Sequence, residues 1–198
     1  MCGIAGIIRR DGLPVEEETL RRIADTMRKR GPDGEGIFRD GPLALVHRRL
    51  SIIDLKGGAQ PIANEDRSIL LAVNGEIYNY RQLTADLTAK GHRFRTGSDS
   101  ECILHAYEEY GEAFPTVLEG MFAAAVLDLR SRTFLLARDR AGQKPLFYVS
   151  TPRLFAFASE IRALKQIPGL EWELDRDALS TYLTFQYCPG DSTVYRRI

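Results

Sequence analysis

The sequence predicts an α+β domain with largely antiparallel sheets and helices segregated from the strands. Three observations carry this. The elements run strand, helix, strands, helices, strands, whereas a doubly wound parallel sheet needs strict alternation of strand and helix. The stretches "AAAVLDLRSRTFLLARDR" and "PLFYVSTPRLFAFAS" each read as two strands joined by a tight turn. Finally, 44% hydrophobic and 27% charged residues over 198 positions supply a substantial core. That size suits one domain with the edge of a second.

The elements follow in order. Residues 2–8 form a short apolar strand. In "VEEETLRRIADTMRKR" the residues Leu20, Ile23, Ala24 and Met27 share one helical stripe, with acids in the first turn and Arg28, Lys29 and Arg30 in the last. "GPDGEG" has the glycine and proline of a loop. "PLALVHRRLSII" and "SILLAVNGEIYN" are rich in branched apolar residues and read as buried strands, with "DLKGGAQPIANEDR" as a loop between them. "YRQLTADLTAKG" is a helix that Gly91 caps. "SDSECILHAYEEYG" is another, with Ser98 and Glu101 at capping-box spacing. In the tail, Ala178, Leu179, Tyr182 and Leu183 make a further helical stripe before a Pro-Gly loop.

Composition excludes several classes. Lys plus Arg and Asp plus Glu both number 27, so nothing favours nucleic acid or an anionic membrane as a partner. No apolar run is long enough to span a bilayer. "IAGII" is too short for a signal peptide, and its charges follow it. A cytoplasmic protein is the expectation. Cys2, Cys102 and Cys188 form no CxxC or Cys/His spacing, which argues against a disulfide framework or zinc site. His47, His92 and His105 are not spaced as metal ligands, so no metal is assigned.

The chemistry concentrates at the first residues, "MCGIAGI". Once Met1 is removed, Cys2 carries both a thiol and a free α-amine. The reference pKa of an α-amine, roughly 7.7–8.0, suits a general base near neutral pH. One residue then supplies nucleophile and base together. Read alone, Cys2 is equally a small apolar residue on the first strand. "VNGEIYN" sets Asn74 beside Gly75, an amide and an unhindered backbone N–H that could stabilise an oxyanion, or an Asn-Gly turn. "HRRLSIID" puts Arg48 and Arg49 beside an apolar strand, where a guanidinium could hold a carboxylate or simply face solvent. Asp99 stands at a helix start, as a ligand or as a neighbour of the cap.

These stretches together resemble the class II glutamine amidotransferase domain, most closely that of the asparagine synthetase family. The carriers are "MCGIAGI", "RGPDGEG", "HRRLSIID", "GAQPI", "LAVNGEIYN", "TGSDSE", "GMFAAAVLD", "RDRAGQKPLFY" and "ASEIRAL", in family order from residue 2 to about 165. The resemblance implies an N-terminal-nucleophile hydrolase fold, an αββα sandwich of two antiparallel sheets packed face to face between helical layers. It implies Cys2 as the nucleophile that forms a γ-glutamyl thioester, with Asn74 and Gly75 as the oxyanion pair. Arg49 would hold the glutamine α-carboxylate, with main-chain help from Leu50 and Ile52. Glu76 and Asp99 would hold the α-ammonium. Arg30 would brace the pocket, and "GAQPI" would be a structural turn beside it.

Two departures stand out. Ala141 and Gln143 depart from the family pattern in a stretch expected to lie outside glutamine chemistry, so their effect would fall on packing or a partner interface. The SGGxDS-type pyrophosphate loop of a synthetase domain does not occur. The resemblance therefore implies a glutaminase domain over residues 1–175, with residues 176–198 beginning a junction to a synthetase domain, in cis or trans. ATP, magnesium and aspartate would belong to that domain, and no cofactor to this chain. The expected partners are L-glutamine, the synthetase domain and a second copy in a homodimer. Two alternatives remain at this level. One is a glutaminase domain serving another acceptor, in cell-surface polysaccharide, peptide or secondary metabolism. The other is a catalytically silent docking module.

Overall fold

A computed structural model describes residues 1–198. In chain order the elements are β1 (Gly3–Arg9), α1 (Glu17–Thr26), β2 (Gly34–Asp40), β3 (Leu43–Arg49), β4 (Ile62–Ala63), β5 (Ile69–Ile77), α2 (Tyr80–Ala89), α3 (Glu101–Tyr110), a 3-10 segment (Gly111–Val117), β6 (Gly120–Asp128), β7 (Thr133–Arg138), β8 (Phe147–Ser150), β9 (Leu154–Ala158), α4 (Ile161–Leu164) and α5 (Arg176–Phe185). The strands form a five-stranded sheet, β2-β3-β1-β9-β8, and a four-stranded sheet, β4-β5-β6-β7. Every pairing is antiparallel.

Alternation along the strands builds three apolar layers. Ile4, Leu45 and Phe157 of the first sheet meet Leu70, Ala72, Ala123, Ala125 and Leu127 of the second. On the outer face of the first sheet, Ala5, Ile7, Ala44, Val46, Ala156 and Ala158 pack against Leu20, Ile23, Ala24 and Met27 of α1 and Ala163 and Leu164 of α4. On the outer face of the second, Ile69, Leu71, Val73, Ala124 and Val126 pack against Leu83 and Leu87 of α2 and Cys102, Ile103 and Leu104 of α3. Successive side chains in a strand point to opposite faces, and here both faces are buried. This is why the central strands read as unbroken apolar runs. The result is the expected αββα sandwich.

Several details differ from the sequence reading. "GPDGEG" is only half a loop: Gly34 and Gly36 open β2, which pairs along the whole of β3. Glycine is needed at position 36 because a Cβ there would stand 1.8 Å from the Gln60 carbonyl. Local propensity argues against a strand, and the close approach of a neighbouring segment overrides it. Helix α1 stops at Thr26, so Arg28, Lys29 and Arg30 lie beyond its last turn. Glu101 does not close a capping box with Ser98. Its carboxylate reaches back to the Arg95 and Thr96 N–H groups at 2.9 and 2.7 Å. Helix α5 forms as expected, with Asp175 accepting from the Asp177 and Ala178 N–H groups, but it buries no residue.

One polar link joins the two sheets near the future site. His47 of β3 is buried, and its Nε2 lies 3.1 Å from the Val73 carbonyl of β5. A carbonyl only accepts, so Nε2 carries the proton. Burial, opposed by the Val73 carbonyl and aided by Arg49 and Arg48, lowers His47 from 6.5 to about 4. The unfolded chain therefore takes up a proton between pH 6.5 and 4 that the fold refuses. The stability tied to a neutral His47 is present above pH 6.5 and is lost as pH falls towards 4. We expect His47→Gln to flatten this acid-side loss in urea denaturation measured across that range. His47→Leu, which strands the Val73 carbonyl, should cost about 1–3 kcal/mol at neutral pH.

Candidate active site

The chain end is fixed before any chemistry is considered. The Arg30 Nε–H donates to the Cys2 carbonyl at 2.9 Å, and Arg30 Nη1 lies 3.4 Å from Glu160. The Met1 amine donates to the Arg30 carbonyl at 3.3 Å. Arg30 thus braces the terminus, as expected. Cys2 Sγ accepts from the Leu50 N–H at 3.4 Å and lies 3.6 Å from the Leu50 carbonyl. Burial raises the thiol above the ordinary cysteine range, against the Leu50 N–H, the Met1 amine and Arg49, with Asp99 adding to the rise. A thiol raised in this way stays protonated near neutral pH and needs a base to react.

The facing wall is one edge of β5. Strand β4 pairs with β5 only at Ile62↔Leu71 and Ala63↔Leu70. Beyond Leu71 the edge has no strand beside it. Its N–H groups at Val73 and Ile77 are taken instead by side chains, Gln60 Oε1 at 2.6 Å and Asp99 Oδ2 at 2.8 Å. Gly75 lies between them with the same parity, so its N–H points to the same edge. The other side of the strand agrees. Gly75 pairs with Phe122, whose N–H and carbonyl both engage Asp139, at 3.2 and 2.9 Å. The Gly75–Phe122 pair is therefore the non-hydrogen-bonded kind. Next to it, Asn74 is buried and its Nδ2 has no hydrogen-bond partner. Such a donor is rare in a folded interior, and this one lies on the cavity wall, open to a partner there. Asn-Gly is thus no turn: both residues sit inside the strand. Glycine is required at 75 because a Cβ would meet the Met121 carbonyl at 2.4 Å.

The remaining expected residues gather at the other end. Arg49 closes β3 with its guanidinium turned back on the following loop, where Nη2 donates to the Ile53 carbonyl at 3.2 Å and to the Asp54 carbonyl. Nη1 reaches the Leu55 carbonyl at 3.4 Å. Of its five N–H donors, these contacts leave Nε–H and one Nη1–H. Asp99 is buried just before α3. Burial raises its carboxyl, offset by the Ile77 and Ser100 N–H groups, and the neighbouring Glu76 raises it further. A buried acid beside a second acid favours a cationic ligand. Cys2, Arg49, Leu50, Ile52, Asn74, Gly75, Glu76 and Asp99 all line one cavity of about 240 Å³. It lies below the ~300–1,000 Å³ of drug-sized sites and suits a single amino acid.

Sequence reasoning missed some of the lining. Gln60, Ser98, Ser100, Met121 and Lys144 also face this cavity. Gln60 belongs to "GAQPI", which is thus more than a turn: its amide oxygen takes the Val73 N–H, and its Nε2 lies 3.4 Å from Ser100 Oγ. Lys144 corrects the reading of "RDRAGQKPLFY" as remote from the site. Asp139 folds that loop by accepting from the Gln143 and Lys144 N–H groups, at 2.9 and 3.2 Å, and the buried Lys144 then lines the cavity. The signal available in the sequence was a lysine set immediately before the apolar run "PLFYV". Ala141 and Gln143 lie away from it, beside a separate open groove.

Comparison with known proteins agrees with this geometry. The model of the glutamine amidotransferase domain matches residues 1–198. An asparagine synthetase [glutamine-hydrolyzing] 1 of Bacillus subtilis (strain 168) is 38% identical over 98% of this chain and 31% of its own length. Asparagine synthetase [glutamine-hydrolyzing] 2 of the same organism is 46% identical over 91% of this chain and 24% of its own length. A form from Oryza sativa subsp. japonica is 43% identical over 83% and 28%. The chain thus spans about a quarter to a third of these relatives. A solved structure of the glutamine phosphoribosylpyrophosphate amidotransferase from B. subtilis superposes with a TM-score of 0.69 at 23% identity, over 83% of this chain and 43% of that one, and shares the fold. With its two antiparallel sheets and a cavity built around the second residue, the chain belongs to the glutamine amidotransferase domain family.

Proposed function

We propose that this domain hydrolyses the side-chain amide of L-glutamine through a thioester on Cys2 and supplies ammonia to an asparagine-synthetase-type acceptor domain. The observation that carries the chemistry is the convergence, in one cavity, of a protonated thiol, an unpartnered buried amide donor and an acid–arginine pair. The relatives' 38–46% identity supports the acceptor. The exposed apolar side chains of α5, Tyr182, Leu183 and Phe185, suit a domain packed beyond residue 175. ATP, magnesium and aspartate act in that domain, a cytoplasmic setting fits the whole, and a homodimer is its simplest assembly.

In this reading the reaction proceeds stepwise. Removal of Met1 turns the Cys2 nitrogen from an amide into an amine. The amine takes the thiol proton, and the thiolate attacks the amide carbon of glutamine. The carbonyl oxygen becomes an oxyanion facing Asn74 Nδ2 and the Gly75 N–H. The protonated amine returns its proton to the departing nitrogen, which leaves as ammonia, and a water later cleaves the thioester to glutamate. Throughout, Asp99 and Glu76 face the α-ammonium, and the free Arg49 donors face the α-carboxylate.

Three outcomes check this. Cys2→Ala should abolish glutaminase activity while leaving the thermal unfolding curve unchanged. Chain that retains Met1, identified by intact mass, should be slower by the roughly 10²–10⁴-fold that general-base assistance supplies. Equal activity of retained and processed forms would exclude the α-amine as base.

Binding and transition-state residues should separate in steady-state kinetics. Arg49→Ala and Asp99→Asn should raise KM for glutamine by about 10- to 150-fold, as loss of a charged hydrogen bond costs roughly 1.5–3 kcal/mol. Asn74→Ala should instead lower kcat by about 10²–10³-fold. The raised Asp99 carboxyl adds a pH signature. Glutamine binding requires the ionised acid, so KM should start to climb on acidification above the ordinary aspartate range, and Asp99→Asn should remove that limb. For Arg49→Ala or Asp99→Asn, a fall in kcat at constant KM would overturn their assignment to substrate binding.

A further inference from the structure

Helices α2 and α3 bring two histidines together that lie 13 positions apart in sequence. Gly91, at a φ of +101°, ends α2 and turns the chain so that His92 faces α3. On α3, His105 and Glu108 share one face at i, i+3 spacing. His105 Nδ1 lies 2.8 Å from Glu108 Oε2, and His92 Nδ1 lies 3.5 Å from that same oxygen. The donor atoms of the three residues all fall within 4.8 Å of one another.

The surroundings of this trio are as ordered as the trio. The second oxygen of Glu108 accepts from Asn64 Nδ2 at 2.9 Å, which fixes the carboxylate. Both outer imidazole nitrogens face carboxylates: His92 Nε2 lies 3.3 Å from Glu109, and His105 Nε2 lies 3.7 Å from Glu101. The His105 side chain is only 2% exposed, and its Nε2 has no hydrogen-bond partner. Glu109, within hydrogen-bond reach of the outer nitrogen of His92, is the kind of contact that orients a histidine on a metal, whereas Glu101 lies beyond that reach from His105.

We propose that His92 Nδ1, His105 Nδ1 and Glu108 Oε2 form a binding site for a divalent transition metal of the zinc class. Ligand bonds of about 2.0–2.2 Å set tetrahedral ligand atoms roughly 3.3 Å apart. The two nitrogen–oxygen separations, 2.8 and 3.5 Å, bracket that value, and the three donor atoms lie within 4.8 Å of one another, so a bound ion would draw the two rings inward. Glu101 and Glu108 face the imidazoles, while Glu109 is already paired with Lys90 Nζ at 2.6 Å. A proton can bridge only one nitrogen to the shared oxygen, whereas a cation engages all three donors. The fourth position opens onto a solvent-facing groove bordered by Glu65, Arg93 and Arg130, where a water completes the shell. The absence of a metal-binding motif in the sequence is thus no guide, because helix packing, not spacing, assembles these ligands.

The test uses the 198-residue protein, stripped of metal and titrated with Zn²⁺ against a chromophoric chelator. We expect one equivalent bound at micromolar Kd or tighter and a rise in the thermal midpoint. His92→Ala and Glu108→Gln should each weaken binding at least tenfold. His92 is partly exposed, so its variant should fold normally. Co²⁺ should give tetrahedral d–d bands with no thiolate charge-transfer band, and Cys2→Ala should leave the affinity unchanged. Binding no tighter than millimolar, binding that survives both His92→Ala and Glu108→Gln, or a thiolate band would overturn the proposal. The first of these outcomes would leave the cluster a protonated ion triad.

Discussion

The edge of β5 beyond Leu71 is the constraint on which the rest of the site depends. A strand edge with no neighbour exposes N–H groups that must be satisfied or solvated. Here β4 stops after two residues, and side chains take over: Gln60 at Val73 and Asp99 at Ile77. Gly75, between them, keeps its N–H directed at the cavity. One short strand thereby converts a defect in sheet pairing into a line of directed donors. The same edge presents the Val73 carbonyl to His47, which ties it to the opposite sheet. The donors along this edge are thus held by both sheets at once.

Around that edge the chemistry divides by environment. Burial raises the thiol, and the amine that acts on it in this chain is that of Met1. Asp99 sits where burial raises its carboxyl and a cation would restore its charge. Arg49 spends part of its guanidinium on the loop carbonyls of Ile53, Asp54 and Leu55, so it shapes the cavity wall as well as offering donors to a carboxylate. Removing it therefore touches both loop and ligand, which makes Asp99 the cleaner probe of binding.

The terminus is anchored by the same logic. Arg30 links the Cys2 carbonyl to Glu160 beyond β9. Cys2 itself reaches β3 through Leu50. Cys2 is thus held by Arg30, itself tied to Glu160, and by Leu50, although it stands next to the end of the chain. On the far side of the second sheet, Glu101 has two roles. It holds the Arg95–Thr96 segment that leads into Asp99, and it stands behind His105. The α3 helix therefore connects the substrate acid to the histidine cluster through one side chain.

By itself the sequence determined the strands with two buried faces, the helices with one apolar stripe and the glycines that end them, because period and turn chemistry are local. It also determined which residue types could do the chemistry, since a second-position cysteine, an Asn-Gly pair and a helix-start aspartate are legible as such. It did not show β2 or β4, whose glycines and loop-like composition conceal pairing that only a neighbouring strand stabilises. Nor did it place Lys144 or Gln60 in the cavity, or distinguish an Asn-Gly turn from an Asn-Gly strand. Those depend on which backbone edge is left unpaired and on which loop folds over it. The meeting of His92 with Glu108 likewise depends on how two helices pack. Contacts between segments far apart in sequence decide all of these, and no local period records them.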